Sequence, residues 1–206
     1  MRRAWLLCVF ALSGPARAQG PDFKRVLFKA VQDQNLERLK MLADGGIDLE
    51  QFNSVEQTPL IFAALLGHAD VVRFLLDRGV DATRAEGKGY DAMHAAAYKG
   101  KPDVVKILVE HGLPYDKPHT DGLTPFVRAV AMGSVEVVRL FLRLGADAAS
   151  ASDSAQHGTL SALQVARHPE VRQLLERYKA AKDGGGEPPH HEDEPECSAE
   201  EESCSL

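Results

Sequence analysis

The sequence predicts an all-α solenoid of stacked helix-turn-helix units with projecting β-turn loops. Three observations predict it. Gly46, Gly79, Gly112 and Gly145 lie 33 residues apart, and Gly67, Gly100 and Gly133 take the same step in a second register. Val72, Val105 and Val138 follow it too, as do Leu42, Leu75 and Leu108, with Phe141 next. Thr58-Pro59 returns as Thr124-Pro125. A fixed period of this size marks a repeat array, in which no unit buries its apolar face alone and stacking supplies the core.

The elements follow in chain order. Met1-Arg2-Arg3 is a positive start, Ala4–Ser13 an apolar stretch, Gly14-Pro15 a break and Ala16-Arg17-Ala18 a small-x-small site. That is the pattern of a secretory signal over 1–18, cleaved before Gln19. The apolar stretch is too short for a stable bilayer span. The signal places the protein in the secretory pathway or outside the cell; a retained leader would place it in the cytoplasm. Cleavage removes Cys8 and leaves Cys197 and Cys204, which can pair with each other or with another chain in an oxidising compartment. No N-x-S/T sequon occurs; Asn53-Ser54-Val55 misses by one residue.

The repeat domain spans 19–182. Its first unit, Phe23 to Leu49, keeps a helix pair without a capped start and reads as a terminal cap. Three full units follow. Thr58, Asp91 and Thr124 offer side-chain oxygens to open a helix, and Pro59 and Pro125 fit its first turn. The first helices are predicted at Pro59–Leu66, Ala92–Lys99 and Pro125–Met132, each closed by a glycine. Second helices are predicted at Asp70–Asp77, Asp103–Glu110 and Val135–Arg143, apolar on more than one face as a sandwiched helix must be. Leu75, Leu108 and Val138 are expected in the core. About ten turn-forming residues then project a loop. Glu56 stands where the second loop would want glycine, which predicts a distortion there. SALQVARHPEVRQLLERYK closes the array as a second cap, with a longer approach loop and a shortened turn between its helices.

Charge divides the chain. Net charge is -6, yet 183–206 alone carries nine acids and no Lys or Arg, while residues 19–182 balance. Nucleic acid is therefore not expected as the partner. Gly184-Gly185-Gly186, Pro188-Pro189 and the unopposed acids predict a disordered tail.

The units resemble ankyrin repeats. The similarity is carried by TPLIFAALLGHADVVRFLLDRGVDA (Thr58–Ala82), DAMHAAAYKGKPDVVKILVEHGL (Asp91–Leu113) and DGLTPFVRAVAMGSVEVVRLFLRLGADA (Asp121–Ala148), and extends over about Asp22 to Tyr178. His94 alone occupies the His of the family's TPLH motif; Ile61 and Val127 stand there elsewhere, and His68 falls in the family's GH turn. Both histidines are expected to be structural. The resemblance implies a cupped module that binds proteins, its β-turns as fingers and its first helices as palm. Carried over by position, the partner-binding residues are Lys88, Tyr90, Asp121 and Leu123 at the turns, with Leu65, Leu66, Tyr98, Lys99 and Met132 at the first-helix ends. Leu66, Tyr90, Tyr98, Leu123 and Met132 would form one apolar stripe, and Tyr is a favoured anchor.

Enzyme signatures are missing from the sequence: it has no G-x-S-x-G, no P-loop, no strand-following G-x-G-x-x-G and no H-E-x-x-H. Catalytic residues, cofactors and a resident metal are not expected. The leading function is a non-enzymatic protein-interaction module. The alternatives are a metal- or redox-linked accessory acting through the His190, His191 and Cys197 region of the tail, or a regulator that blocks a partner enzyme.

Overall fold

Among the described residues, ten helices fall into two rows, with one small β-ribbon. The computed structural model describes 21–87, 89–119, 121–148, 151–154 and 158–184. The expected leader at 1–18 and the cysteine-bearing tail beyond Gly184 lie outside these residues. The first-helix row is α1 (Pro21–Gln32), α3 (Pro59–Leu66), α5 (Ala92–Tyr98), α7 (Pro125–Met132) and α9 (Ala162–Val165). The second row is α2 (Leu36–Asp44), α4 (Ala69–Asp77), α6 (Pro102–Glu110), α8 (Val135–Arg143) and α10 (Pro169–Asp183). Each helix packs on its counterpart in the next unit and on its partner within the unit. The fold is the expected all-α ankyrin solenoid of five units.

Local chemistry sets the helix starts. Thr58 Oγ1 accepts the Ile61 N–H at 3.2 Å, Asp91 Oδ1 the His94 N–H at 3.0 Å and Thr124 Oγ1 the Val127 N–H at 3.3 Å. Each bond satisfies one of the donors that a helix N-terminus leaves open. The ends are set by chirality and by space. Gly67, Gly100 and Gly133 have φ of +82°, +61° and +75°, where a side chain is strained. A Cβ there would also collide with Lys101, Ser134 or His168, which open the second helix of the following unit. Gln34 holds the same place in the first unit with φ of +52° and no glycine.

The core runs the length of the stack. Leu75, Leu108, Val138 and Phe141 are fully buried, as are Ala63, Ala64, Ala95, Ala96 and Ala97, whose small side chains let α3 and α5 approach closely. Burying a Leu side chain stabilises by about 1.5–3 kcal/mol, so the interfaces between units hold the domain together.

The last unit departs from expectation. Its connection, 166–168, is no shorter than those of the other units; the first helix is what shortens, to four residues. Ser161 and Gln164 cap the start of α9 reciprocally, the Gln164 carboxamide oxygen accepting the Ser161 N–H at 2.9 Å. The approach loop holds an antiparallel ribbon, β1 (Ala151–Ser154) on β2 (Gly158–Ser161), with Ala151 opposite Ser161.

Candidate partner-binding surface

Three loops share one backbone design. In each, the residue that opens the turn donates its N–H to a carbonyl four residues on and accepts from the N–H three residues on. The pairs are Asn53 to Gln57 (2.9 Å), Glu86 to Tyr90 (2.9 Å) and His119 to Leu123 (2.9 Å), with returns from Glu56, Gly89 and Gly122. The returning residue has positive φ in all three: +63° at Glu56, +83° at Gly89 and +81° at Gly122. The expected distortion at Glu56 is therefore not found. The loop keeps its shape, and Glu56 takes the left-handed conformation that glycine takes elsewhere. Asn53 reinforces this finger, its Oδ1 accepting the Val55 and Gln57 N–H groups at 2.9 Å each. The turn residues Ser54 and Val55 are exposed.

The structure divides the candidate residues. Leu66, Tyr98, Lys99 and Met132 are exposed at the ends of α3, α5 and α7. Lys99 Nζ lies 5.1 Å from the centre of the Tyr98 ring. Leu65 and Leu123 are half-buried and pack on the core, so they contribute support more than surface. Tyr90 is also half-buried. The single stripe from Leu66 through Tyr90 and Leu123 to Met132 is thus corrected: its exposed apolar members are the helix-end residues, and the finger-base positions turn inward. Lys88 lies outside the described residues.

Tyr90 turns inward because the next unit closes over it. The His119 ring packs edge-on at 4.5 Å between centroids, and the Arg128 guanidinium sits 4.7 Å from the Tyr90 ring centre. Burial pushes the Tyr90 hydroxyl up to about 12, against the opposing charge of Arg128. Arg128 Nη2 also donates to Asp121 Oδ2 at 2.5 Å. Burial raises the Asp121 carboxyl, but the Leu123 N–H and Arg128 outweigh it and hold it below the usual carboxylate range. Asp121 is thereby committed to bracing its own finger.

His94 lies beneath, 1% exposed, its Nδ1 2.8 Å from Asp91 Oδ1. A carboxylate only accepts, so Nδ1 carries the proton. Burial raises Asp91, but the bonds and charge of His94 more than offset this and its carboxyl is lowered. His68 Nε2 lies 3.2 Å from the Gln32 carbonyl. Both histidines thus tie the fold, as expected. The sequence reading missed His119 and Arg128 as finger supports; a signal existed in Arg128, which stands where Phe62 and Ala95 stand in the preceding units.

Among the described residues no three His, Cys, Asp or Glu gather to hold a metal, and no helix is long and apolar enough to cross a membrane. Against known families, the chain matches the model for ankyrin repeats, which spans three copies, over residues 6–86 and again over 80–152. The chain belongs to the ankyrin-repeat family. No curated protein matches it. Ankyrin repeats are generally protein-protein interaction modules and typically non-enzymatic, so the coarse function follows from membership.

Proposed function

We propose that this ankyrin-repeat protein acts without catalysis, by binding a protein partner across its fingers and first-helix ends. One observation carries the reading. Of six exposed large apolar residues among the described residues, Phe23, Val55, Leu66, Tyr98 and Met132 belong to first helices or a finger, and Met41 to a second helix. The core needs none of them, and exposed apolar side chains gathered on one aspect of a molecule mark an interaction site. The fingers beside them are pre-ordered by side-chain and backbone bonds, so binding loses little conformational entropy.

The test is a triple variant, Leu66→Asp, Tyr98→Asp and Met132→Asp, compared with the unaltered chain for the proteins each retains from the native source. All three positions are exposed, so the melting temperature should hold while a specific partner is lost. A partner retained equally by both proteins would place the site elsewhere.

A further inference from the structure

A cavity of about 490 Å³ lies between α1, α3 and the first finger. Its volume falls in the range of sites that take a side chain or small ligand. Phe28 and Phe62 line it, both half-buried, with ring centroids 5.7 Å apart in an edge-to-face pair. Lys24, Arg25 and Lys29 also line it, and no acidic residue does among the described residues. Lys29 is engaged by Asp33 at 2.8 Å, in an exposed pair that costs little to exchange. Lys24 and Arg25 have no ion-pair partner among the described residues. The site is particular to this end of the stack: where Phe62 stands, the following units have Ala95 and Arg128.

Resting on the interaction reading above, we propose that this cavity binds an acidic segment of a partner protein, with one aromatic or aliphatic side chain seated against Phe28 and Phe62. Carboxylates on either side of that anchor meet Lys24, Arg25 and Lys29. Charge complementarity selects an acidic segment, and the aromatic pair selects an apolar anchor within it. The chain's own tail offers the acids, but its one large apolar side chain, Leu206, stands four residues beyond the last of them, Glu202, with no carboxylate side chain on its far side.

The probe is a short labelled peptide with one phenylalanine between runs of glutamate and aspartate, titrated into the full chain by fluorescence anisotropy. Binding should weaken as salt rises. Lys24→Glu with Arg25→Glu should weaken it at least about tenfold, as should Phe62→Ala or replacing the peptide's phenylalanine by alanine. Melting curves of the variants confirm that they are folded. No binding to the unaltered chain overturns the proposal, and so does equal binding of the alanine peptide or by the charge-reversed variant. Displacement of the probe by a comparable concentration of a peptide of residues 185–206 would also overturn it, by assigning the cavity to the tail. The Leu66, Tyr98 and Met132 variant should bind the probe normally. A failure of the wider surface therefore reads separately from a failure of this cavity.

Discussion

Glu56→Gly should make the protein more stable, although it removes a side chain and adds none. Glu56 sits at φ of +63° in a finger whose hydrogen bonds match those closed by Gly89 and Gly122. An ordinary residue in this left-handed conformation costs roughly 1–2 kcal/mol, because its Cβ crowds the following carbonyl. Glycine escapes that cost but loosens the unfolded chain, which takes back about 0.4–1 kcal/mol. The Glu56 carboxylate makes no hydrogen bond or ion pair among the described residues, so its loss subtracts little. The net gain is about 0.5–1 kcal/mol, or a rise in Tm of roughly 1–4 °C for a domain of this size. The assay is thermal unfolding by circular dichroism, with Glu56→Ala as control. Alanine keeps the strain, so it should gain nothing. The reverse change, Gly122→Ala, should lose about 1 kcal/mol or more. An unchanged or lowered Tm for Glu56→Gly would refute the reasoning. It would mean that the carboxylate, which overlies Gly87, contributes more than the backbone strain costs.

Asp91→Ala removes a helix cap and, among the described residues, the only hydrogen-bond partner of the buried His94 ring, so about 2–4 kcal/mol should be lost; Asp91→Asn, which still caps, should lose less, and denaturant melts separate the two. Asp91 and Asp121 both have lowered carboxyl pKa values in the fold, so their contribution is present above the usual 3.8 and is lost as pH falls through the folded values. Acid melts below about pH 3.8 should therefore show a steeper loss of stability in the unaltered chain than in Asp91→Asn combined with Asp121→Asn. Leu108→Ala leaves a void at a fully buried site between units and should cost about 2–5 kcal/mol by thermal melting; an unchanged midpoint would sink the assigned repeat register. Intact mass of the protein from its native cells, without reduction, should lack residues 1–18 and be lower by two hydrogens or doubled through Cys197 and Cys204; a full-length mass with free thiols would direct the partner search to the cytoplasm.

Much of the fold is legible in the sequence because its signals are local and repeated. Thr58, Asp91 and Thr124 announce helix starts by chemistry that acts over three residues, and the boundaries of the three full units fall within a residue of expectation. Surface exposure is less legible, since it depends on what the next unit brings. Tyr90 stands at a position that sequence reasoning assigns to a partner, but His119 and Arg128 arrive from 29 and 38 residues later to cover it. No period encodes that closure, because neither residue repeats. The same limit hid the cavity beside α1: Phe28 and Phe62 meet across two units, and the first unit reads as a cap when only its missing Thr-Pro start is considered.

A repeat supplies its own internal comparison, and the departures from the period are where strain and specificity collect. Gln34 and Glu56 are the non-glycine residues at positive φ among the described residues, and each occupies a place that glycine holds in other units. These are positions where the stack dictates the backbone and the side chain adapts. The register of Lys29, Phe62, Ala95 and Arg128 behaves in the opposite way. There the backbone is constant and the side chain varies: an exposed cation at Lys29, a half-buried ring at Phe62, a buried methyl group at Ala95 and, at Arg128, a brace for its own finger and the preceding one. Backbone departures are thus answered by stability measurements, whereas side-chain departures at exposed positions such as Lys29 are answered by binding. The exposed first-helix residues and the cations Lys24, Arg25 and Lys29 belong to the second kind, which is why substitutions there should alter partner affinity while leaving the melting temperature in place.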